Sequence, residues 1–354
     1  MTDWVKREAG KGEIDRAGRF LMKWWISEEE EYEEDSEALG KWNEAFQVVE
    51  NWRACHGLPL NVIQAGLRGR TRRVEQKAIV AQRLKRFSSM MQKLARESDM
   101  KLTQMQDLGG CRAILSNVSA VNAVYRMYDQ PRREEGSLKC YDYIAKPKED
   151  GYRGIHVVVR YHPRLAEREP WNGQRIEIQL RTKLQHAFAT AVETVTTFTR
   201  EPLKFGGGPV EWRRFFSLRG SAFAIREQTP LVENTPSNAA ELIAELREAA
   251  HVLRVTQRLR GWANAIRTLP RKDTKNFQWL LLSLDTTQNT IAVTGYRDRE
   301  TASAVIAATE KSNRSDIDAV LVWVRSIRDL RSAYPNYYAD TKEFLNALSA
   351  TLAK

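Results

Sequence analysis

Seven consecutive residues near the middle of the chain alternate without a lapse: Arg175-Ile176-Glu177-Ile178-Gln179-Leu180-Arg181. Side chains two apart on a strand share a face. The pattern therefore demands an extended segment with Ile176, Ile178 and Leu180 on one side and Arg175, Glu177, Gln179 and Arg181 on the other. Such a strand belongs to a sheet with one apolar face. Its polar face meets either solvent, as on the outside of an antiparallel sheet, or a cleft. The segment alone favours solvent; the runs around it favour a cleft.

Those runs are Arg83-x-Lys85-x-x-x-Ser89-x-x-x-Lys93, Asp107-Leu-Gly-Gly-Cys-Arg112 and Gly151-Tyr152-Arg-Gly-Ile-His156. Apolar spacing predicts helix from about 14 to 98, where Leu84, Phe87, Met91 and Leu94 form one stripe. Lys85, Ser89 and Lys93 then follow at four-residue steps along another face, with Arg83 at the helix entrance. Strands are expected at Arg112–Leu115, near Tyr143–Ala145 and at Ile155–Tyr161, with a helix at Val118–Tyr128. Further helices are expected at about 182–199, 210–228 and 237–266. A second unit follows, with strands at Phe277–Leu282 and Thr290–Thr294, a helix at Arg299–Lys311 and a strand at Ala319–Val324. A final helix runs from about Asp340. The break at Pro270-Arg-Lys-Asp-Thr-Lys reads as the linker. Three parts result: a helical segment (1–60), a main domain (61–270) and a small ββαβ domain with the last helix (271–354). The fold class expected is α+β, a mixed β-sheet flanked by helices.

The net charge of +11 stands despite an acidic run at Glu28, Glu29, Glu30, Glu33, Glu34 and Asp35, so basic residues cluster elsewhere. One cluster is Arg68, Arg70, Arg72 and Arg73. It suits a polyanion held through phosphates, or is a solvated basic surface. The cysteines, Cys55, Cys111 and Cys140, are widely spaced and form no CxxC, so neither a disulfide framework nor a zinc site is expected. No apolar run is long enough to span a bilayer, and no signal-peptide core opens the sequence. A cytoplasmic protein without membrane contact is expected.

Together the four runs supply what a phosphoryl-type transfer needs: cations for a polyphosphate, acids for a metal and a base for a hydroxyl. Lys85, Ser89 and Lys93 suit phosphate oxygens. Arg83 and Arg112 carry planar groups that stack on a base or pair with phosphate. Asp107 and Glu177 suit Mg²⁺, and Glu177 also suits the acceptor proton. Tyr152 suits stacking on an acceptor base. Taken singly, each residue is more often packing or solvated surface.

The order and spacing of these runs, over roughly residues 60–200, resemble the synthetase domain of the RelA/SpoT alarmone-synthetase family. The resemblance implies transfer of pyrophosphate from ATP to a ribose hydroxyl. It assigns Arg83, Lys85, Ser89, Lys93 and Arg112 to ATP, and Asp107 and Glu177 to catalysis and magnesium. Tyr152, His156, Gln179 and Arg181 go to the acceptor. The metal-binding His-Asp pattern of the family's hydrolase domain is not seen. Three positions depart from the family pattern: Tyr141 stands where alarmone makers commonly have lysine, Gly154 where serine is common, and Thr190 where an acid is frequent.

The lost lysine argues for an acceptor without a 5′-diphosphate. It resembles the toxic branch of small alarmone synthetases, which pyrophosphorylates the 3′-terminal adenosine of tRNA and blocks translation. Arg68, Arg70, Arg72 and Arg73 would then hold tRNA. The C-terminal unit resembles the antitoxin half of fused toxin–antitoxin proteins of the CapRel type, a zinc-finger-like ββαβ element without metal ligands. Tyr334-Pro-Asn-Tyr337 matches their neutralising motif, or else packs the last helix. Such fusions serve in anti-phage defence, released by a phage-encoded trigger protein. Synthesis of (p)ppGpp from GDP or GTP, and a non-catalytic nucleotide- or RNA-binding regulator, are the alternatives.

Overall fold

The computed structural model describes residues 4–27, 36–136, 138–199, 203, 207–256, 279–285, 290–297, 299–311, 317–323 and 342–352. Helices α1 (Lys11–Ile26), α2 (Ser36–Ala54) and α3 (Gly57–Val74) come first. Then follow β1 (Ile79–Leu84), α4 (Phe87–Arg96), β2 (Gly109–Leu115), α5 (Val118–Arg126), β3 (Leu138–Asp142), β4 (Ile155–Arg160) and β5 (Arg175–Thr182). The five strands form one sheet in the order β1-β2-β5-β4-β3. The β2–β5 pair is parallel and the other three pairs are antiparallel, so the sheet is mixed, as expected.

The alternation in β5 sets the two faces of this sheet. Ile176, Ile178 and Leu180 are fully buried, with Cys111, Ala113, Ile155, Val157 and Val159 from neighbouring strands, in a core shared with α1 to α5. Each such aliphatic side chain contributes about 1.5–3 kcal/mol. Register carries the polar face across all five strands. Arg83 opposes Gly110, which opposes Glu177, then Val158 and Lys139. The next row reads Ala81, Arg112, Gln179, His156, Tyr141. Directly opposed residues point to the same side. The polar face is thus one continuous surface rather than a single strand's outer edge.

Three elements differ from the sequence reading. The helix expected through 98 is interrupted by β1, because Ile79-Val80-Ala81 finds a partner strand in β2. Arg83 consequently lies on a strand and Lys85 in the link before α4, leaving only Ser89 and Lys93 on the helix. The strand expected at Tyr143–Ala145 lies earlier, at Leu138–Asp142. Asp142 stops it, its Oδ1 accepting hydrogen bonds from the backbone N–H groups of Ile144 and Ala145 at 2.9 Å each. The helix expected over 237–266 is broken after α8 (Ala239–Val252) by Arg254 in the left-handed region at φ +50°, helix resumes at Val255, and residues 257–266 lie outside the described residues.

Helices α6 (Lys183–Thr199), α7 (Val210–Glu227) and α8 build a second core, in which Phe188, Phe215, Phe216 and Phe223 meet. The C-terminal unit has β6 (Trp279–Asp285), β7 (Thr290–Tyr296), α9 (Arg299–Lys311) and β8 (Ile317–Trp323), antiparallel in the order β7-β6-β8. It approaches the main sheet at the outer strand: β8 runs beside β1, and Ala307 of α9 packs on the first core. The last helix, α10 (Lys342–Leu352), instead packs into the second core through Phe344, Leu345 and Leu348. There it covers Arg219, a fully buried guanidinium 3.8 Å above the Phe223 ring that also donates to Thr351 Oγ1 at 2.8 Å. The acidic run at 28–35 and the linker at 270–275 lie outside the described residues. No helix among the described residues is long and apolar enough to cross a membrane.

Candidate active site

The polar face of the sheet, α4 and α6 enclose a cleft of about 320 Å³. All eleven residues assigned above to ATP, catalysis or the acceptor line it: Arg83, Lys85, Ser89, Lys93, Asp107, Arg112, Tyr152, His156, Glu177, Gln179 and Arg181. They divide into two halves.

The first half is cationic. Arg83 and Arg112 stand on adjacent antiparallel strands, one step diagonally apart on the same face. That spacing is about 7–8 Å, which admits one planar ring between two guanidinium planes. Below them Lys85 Nζ lies 2.7 Å from Asp107 Oδ2, and Lys93 Nζ 3.1 Å from Asp107 Oδ1. Burial alone would raise the Asp107 carboxyl, but the two ammonium groups outweigh it and hold the acid well below its usual range. Burial pulls Lys85 down despite the same contact. Asp107 therefore pairs with both lysines at once and holds them in place.

The second half is a closed ring of five side chains. Arg181 donates to Tyr152 Oη and to Gln179 Oε1, both at 2.7 Å. Gln179 Nε2 donates to Glu177 Oε2 at 2.7 Å, while His156 Nδ1 meets Glu177 Oε1 at 3.0 Å and its Nε2 meets Tyr152 Oη at 2.5 Å. With Glu177 ionised, Nδ1 donates to it, and Nε2 accepts from Tyr152. Burial would raise Glu177, yet His156 and then Gln179 overcome this and bring it to about 2. Burial pushes the Tyr152 hydroxyl up to about 12, with Arg181 opposing. The ring thus holds an anionic carboxylate and a neutral phenol.

Tyr152 reaches this position through a close backbone contact. Gly151 has φ +83°, and a Cβ on Gly220 of α7 would stand 2.6 Å from the Gly151 Cα. Two residues without side chains let the loop lie flat on the helix. Asp150 adds an acceptor for the Tyr152 N–H at 2.9 Å, and burial raises its carboxyl.

The arginine cluster assigned to tRNA is split. Arg70 is buried, forks onto Glu135 at 2.5 and 2.7 Å, and lies 4.2 Å over the Tyr128 ring. Its donors are committed to the fold, so it is unavailable to any nucleic acid. Arg72 and Arg73 are exposed, and Arg68 lines a separate cavity of about 180 Å³. Tyr334 and Tyr337 lie outside the described residues. The sequence reading passed over Asp150, Arg96, Glu97 and a wall of α6 made by Phe188, Val192 and Glu193, all of which line the cleft. The four- and five-residue spacing of that α6 wall was the available signal. Lys148 lines the cleft too.

The polar face of this mixed sheet thus pairs two arginines and a lysine clamp with a hydrogen-bonded carboxylate, a set that suits a nucleotide polyphosphate. Residues 82–200 match the family described as "Region found in RelA / SpoT proteins". Two curated relatives from Bacillus subtilis (strain 168) are similar to part of the chain. "GTP pyrophosphokinase YwaC" is 32% identical over 106 residues (28% of this chain, 49% of that protein). "GTP pyrophosphokinase YjbM" is 33% identical over 113 residues (31% and 52%). The chain spans about half the length of these relatives. Among solved structures, the small alarmone synthetase 1 of Bacillus subtilis bound to pppGpp aligns over 51% of this chain and 94% of its own, with 22% identity and a TM-score of 0.42.

Proposed function

We propose that this cleft transfers the terminal pyrophosphate of ATP to a ribose hydroxyl, and that the acceptor is the 3′-terminal adenosine of tRNA. The observation that carries the reading is the meeting of four distant runs in one cleft, divided into a cation half and a carboxylate–aromatic half. Adenine enters between Arg83 and Arg112, and Lys85 and Lys93 exchange Asp107 for the phosphates, which Ser89 also meets. The acceptor oxygen attacks the β-phosphorus, the bond from that phosphorus to the α–β bridging oxygen breaks, and AMP leaves. Glu177, oriented by His156 and Gln179, takes the hydroxyl proton. Two acids lining one cleft fit a Mg²⁺ that arrives with the triphosphate, since this ion takes one or two carboxylates plus phosphate oxygens. When bound, it neutralises charge on the transferred group.

Tyr141 supports the tRNA acceptor: it opposes His156 across β3–β4, where a lysine would have met an acceptor diphosphate. The relatives' names favour the second reading, a (p)ppGpp-type synthesis from GDP or GTP. The proposal extends to the C-terminal unit as a cytoplasmic antitoxin in cis, with Tyr334 or Tyr337 occupying the adenine gap until a phage protein engages the unit. A tethered blocker acts at high effective concentration, so the trigger must bind the open form preferentially.

The test is transfer from γ-labelled ATP with magnesium to GDP, GTP or bulk tRNA, offered separately to the intact chain and to Tyr337→Ala. Label in tRNA, stronger in Tyr337→Ala, is the expected result. Label in guanosine nucleotides alone replaces the acceptor. No label from either form, with Glu177→Gln still inhibiting growth, replaces catalysis by binding.

A further inference from the structure

On the side of the sheet away from the C-terminal unit, the edge strand β3 carries an aromatic array that the chemistry above leaves unused. Tyr141 and Tyr143 project from the same face, their rings 4° from parallel with centroids 6.1 Å apart. Lys139 Nζ lies 5.1 Å from the Tyr141 centroid. Lys148 Nζ lies 4.6 Å from the Tyr143 ring and 5.4 Å from that of Tyr152. Tyr143 in turn meets Tyr152 at 5.9 Å and His156 at 5.2 Å, edge to face. The series therefore runs unbroken from the outer edge of β3 to the acceptor half of the cleft.

These rings do not serve as core. Leu138 and Tyr125 nearby pack against the buried cluster, whereas Tyr141 and Tyr143 are half-exposed and flank neither core. Parallel aromatic faces with a cation at each end match one ligand chemistry well. Unpaired bases stack on such rings without regard to sequence, and lysines between them meet the phosphates. A free nucleoside diphosphate has one base, which Tyr152 already serves; two further rings have no use for it.

We infer that Lys139, Tyr141 and Tyr143 form a stacking track for the unpaired nucleotides that lead a single-stranded RNA 3′ end into the cleft. The inference rests on the tRNA acceptor proposed above and deepens it. Tyr141 then supplies a stacking step at the position of the missing lysine.

The experiment is fluorescence anisotropy on the full-length chain with a labelled eight-nucleotide RNA ending in CCA. Wild type binds. Tyr141→Ala weakens binding by roughly five- to hundredfold, the value of one base–ring stack, while Tyr141→Phe stays within about twofold because the ring face is kept. Lys139→Ala lowers the slope of log affinity against log salt by about 0.7, one phosphate contact on a single strand. ATP affinity and melting temperature hold in all three. No binding by wild type, or equal binding by Tyr141→Ala, overturns the track. Transfer to tRNA, measured alongside, separates the two readings. Labelled tRNA with Tyr141-insensitive binding overturns the track alone. Tyr141-sensitive binding without labelled tRNA supports the track and overturns the acceptor.

Discussion

Asp107 holds Lys85 and Lys93 at 2.7 and 3.1 Å, and all three side chains are only 15–22% exposed. Asp107→Asn keeps the shape and removes the charge, leaving two ammonium groups facing each other across a neutral amide. Breaking a fully buried pair costs about 3–5 kcal/mol; with this much solvent at the cluster, about 1–3 kcal/mol is expected. That lowers the melting temperature by roughly 2–12 °C at about 2–4 °C per kcal/mol. The same change removes the anion a triphosphate must displace. ATP binding in EDTA should therefore tighten by roughly five- to thirtyfold, the equivalent of 1–2 kcal/mol. With magnesium present, transfer should fall by at least about a hundredfold as a metal acid is lost. Melts with and without ATP in EDTA, followed by the labelled-transfer assay, check both signs. A variant that is as stable as wild type and binds ATP no more tightly would refute the idea that Asp107 guards the lysine clamp.

Glu177→Gln should lower turnover by about 10²–10⁴-fold with ATP affinity within a few-fold, since it removes a base and not a phosphate contact; turnover within threefold of wild type would strip Glu177 of that role. Its folded carboxyl lies near 2 against an ordinary 4.5, so its contribution to stability is complete above about pH 4.5 and is lost as pH falls toward 2. Acid titration of wild type should accordingly be steeper in that window than titration of the Gln variant. Arg70→Ala should destabilise by about 3–5 kcal/mol, because it strands Glu135 in the interior. Label transferred to tRNA per folded molecule should nevertheless match wild type, and a selective loss of tRNA use would contradict its structural assignment. Gly220→Ala should cost about 1–3 kcal/mol and raise the acceptor KM without changing ATP affinity, because the methyl collides with Gly151 and displaces Tyr152. An unchanged acceptor KM would mean that the loop reaches its place by another route.

What could be read from the residues depended on whether the signal was local. The β5 alternation was legible because one strand's two faces are written in adjacent letters, and the ββαβ order of the C-terminal unit was legible for the same reason. β1 was hidden because the six residues Ile79–Leu84 become a strand only by pairing with β2, where Ile79 meets Ile114 and Leu84 meets Gly109. Extending the helix through them placed Lys85 on α4 when it stands just before it. β3 was misplaced by the apolar look of Tyr143–Ala145, which Asp142 draws into a turn. The candidate site residues came from four short runs and the family that these resemble, but their division into a clamp and a ring did not. That division depends on the lateral register of four strands and on which carboxylate meets which cation. Arg70 misled because its partner, Glu135, is 65 positions away.

The last helix returns to the second core and lies over Arg219 through Thr351 and Phe344. Burial brings this guanidinium down to about 9, a sign of how little water reaches it. A protease that clips the tail, or a premature stop codon before Phe344, would uncover a charge and a phenylalanine-lined hollow together. Losing this helix would therefore open the second core to water, so the helix is a wall of that core.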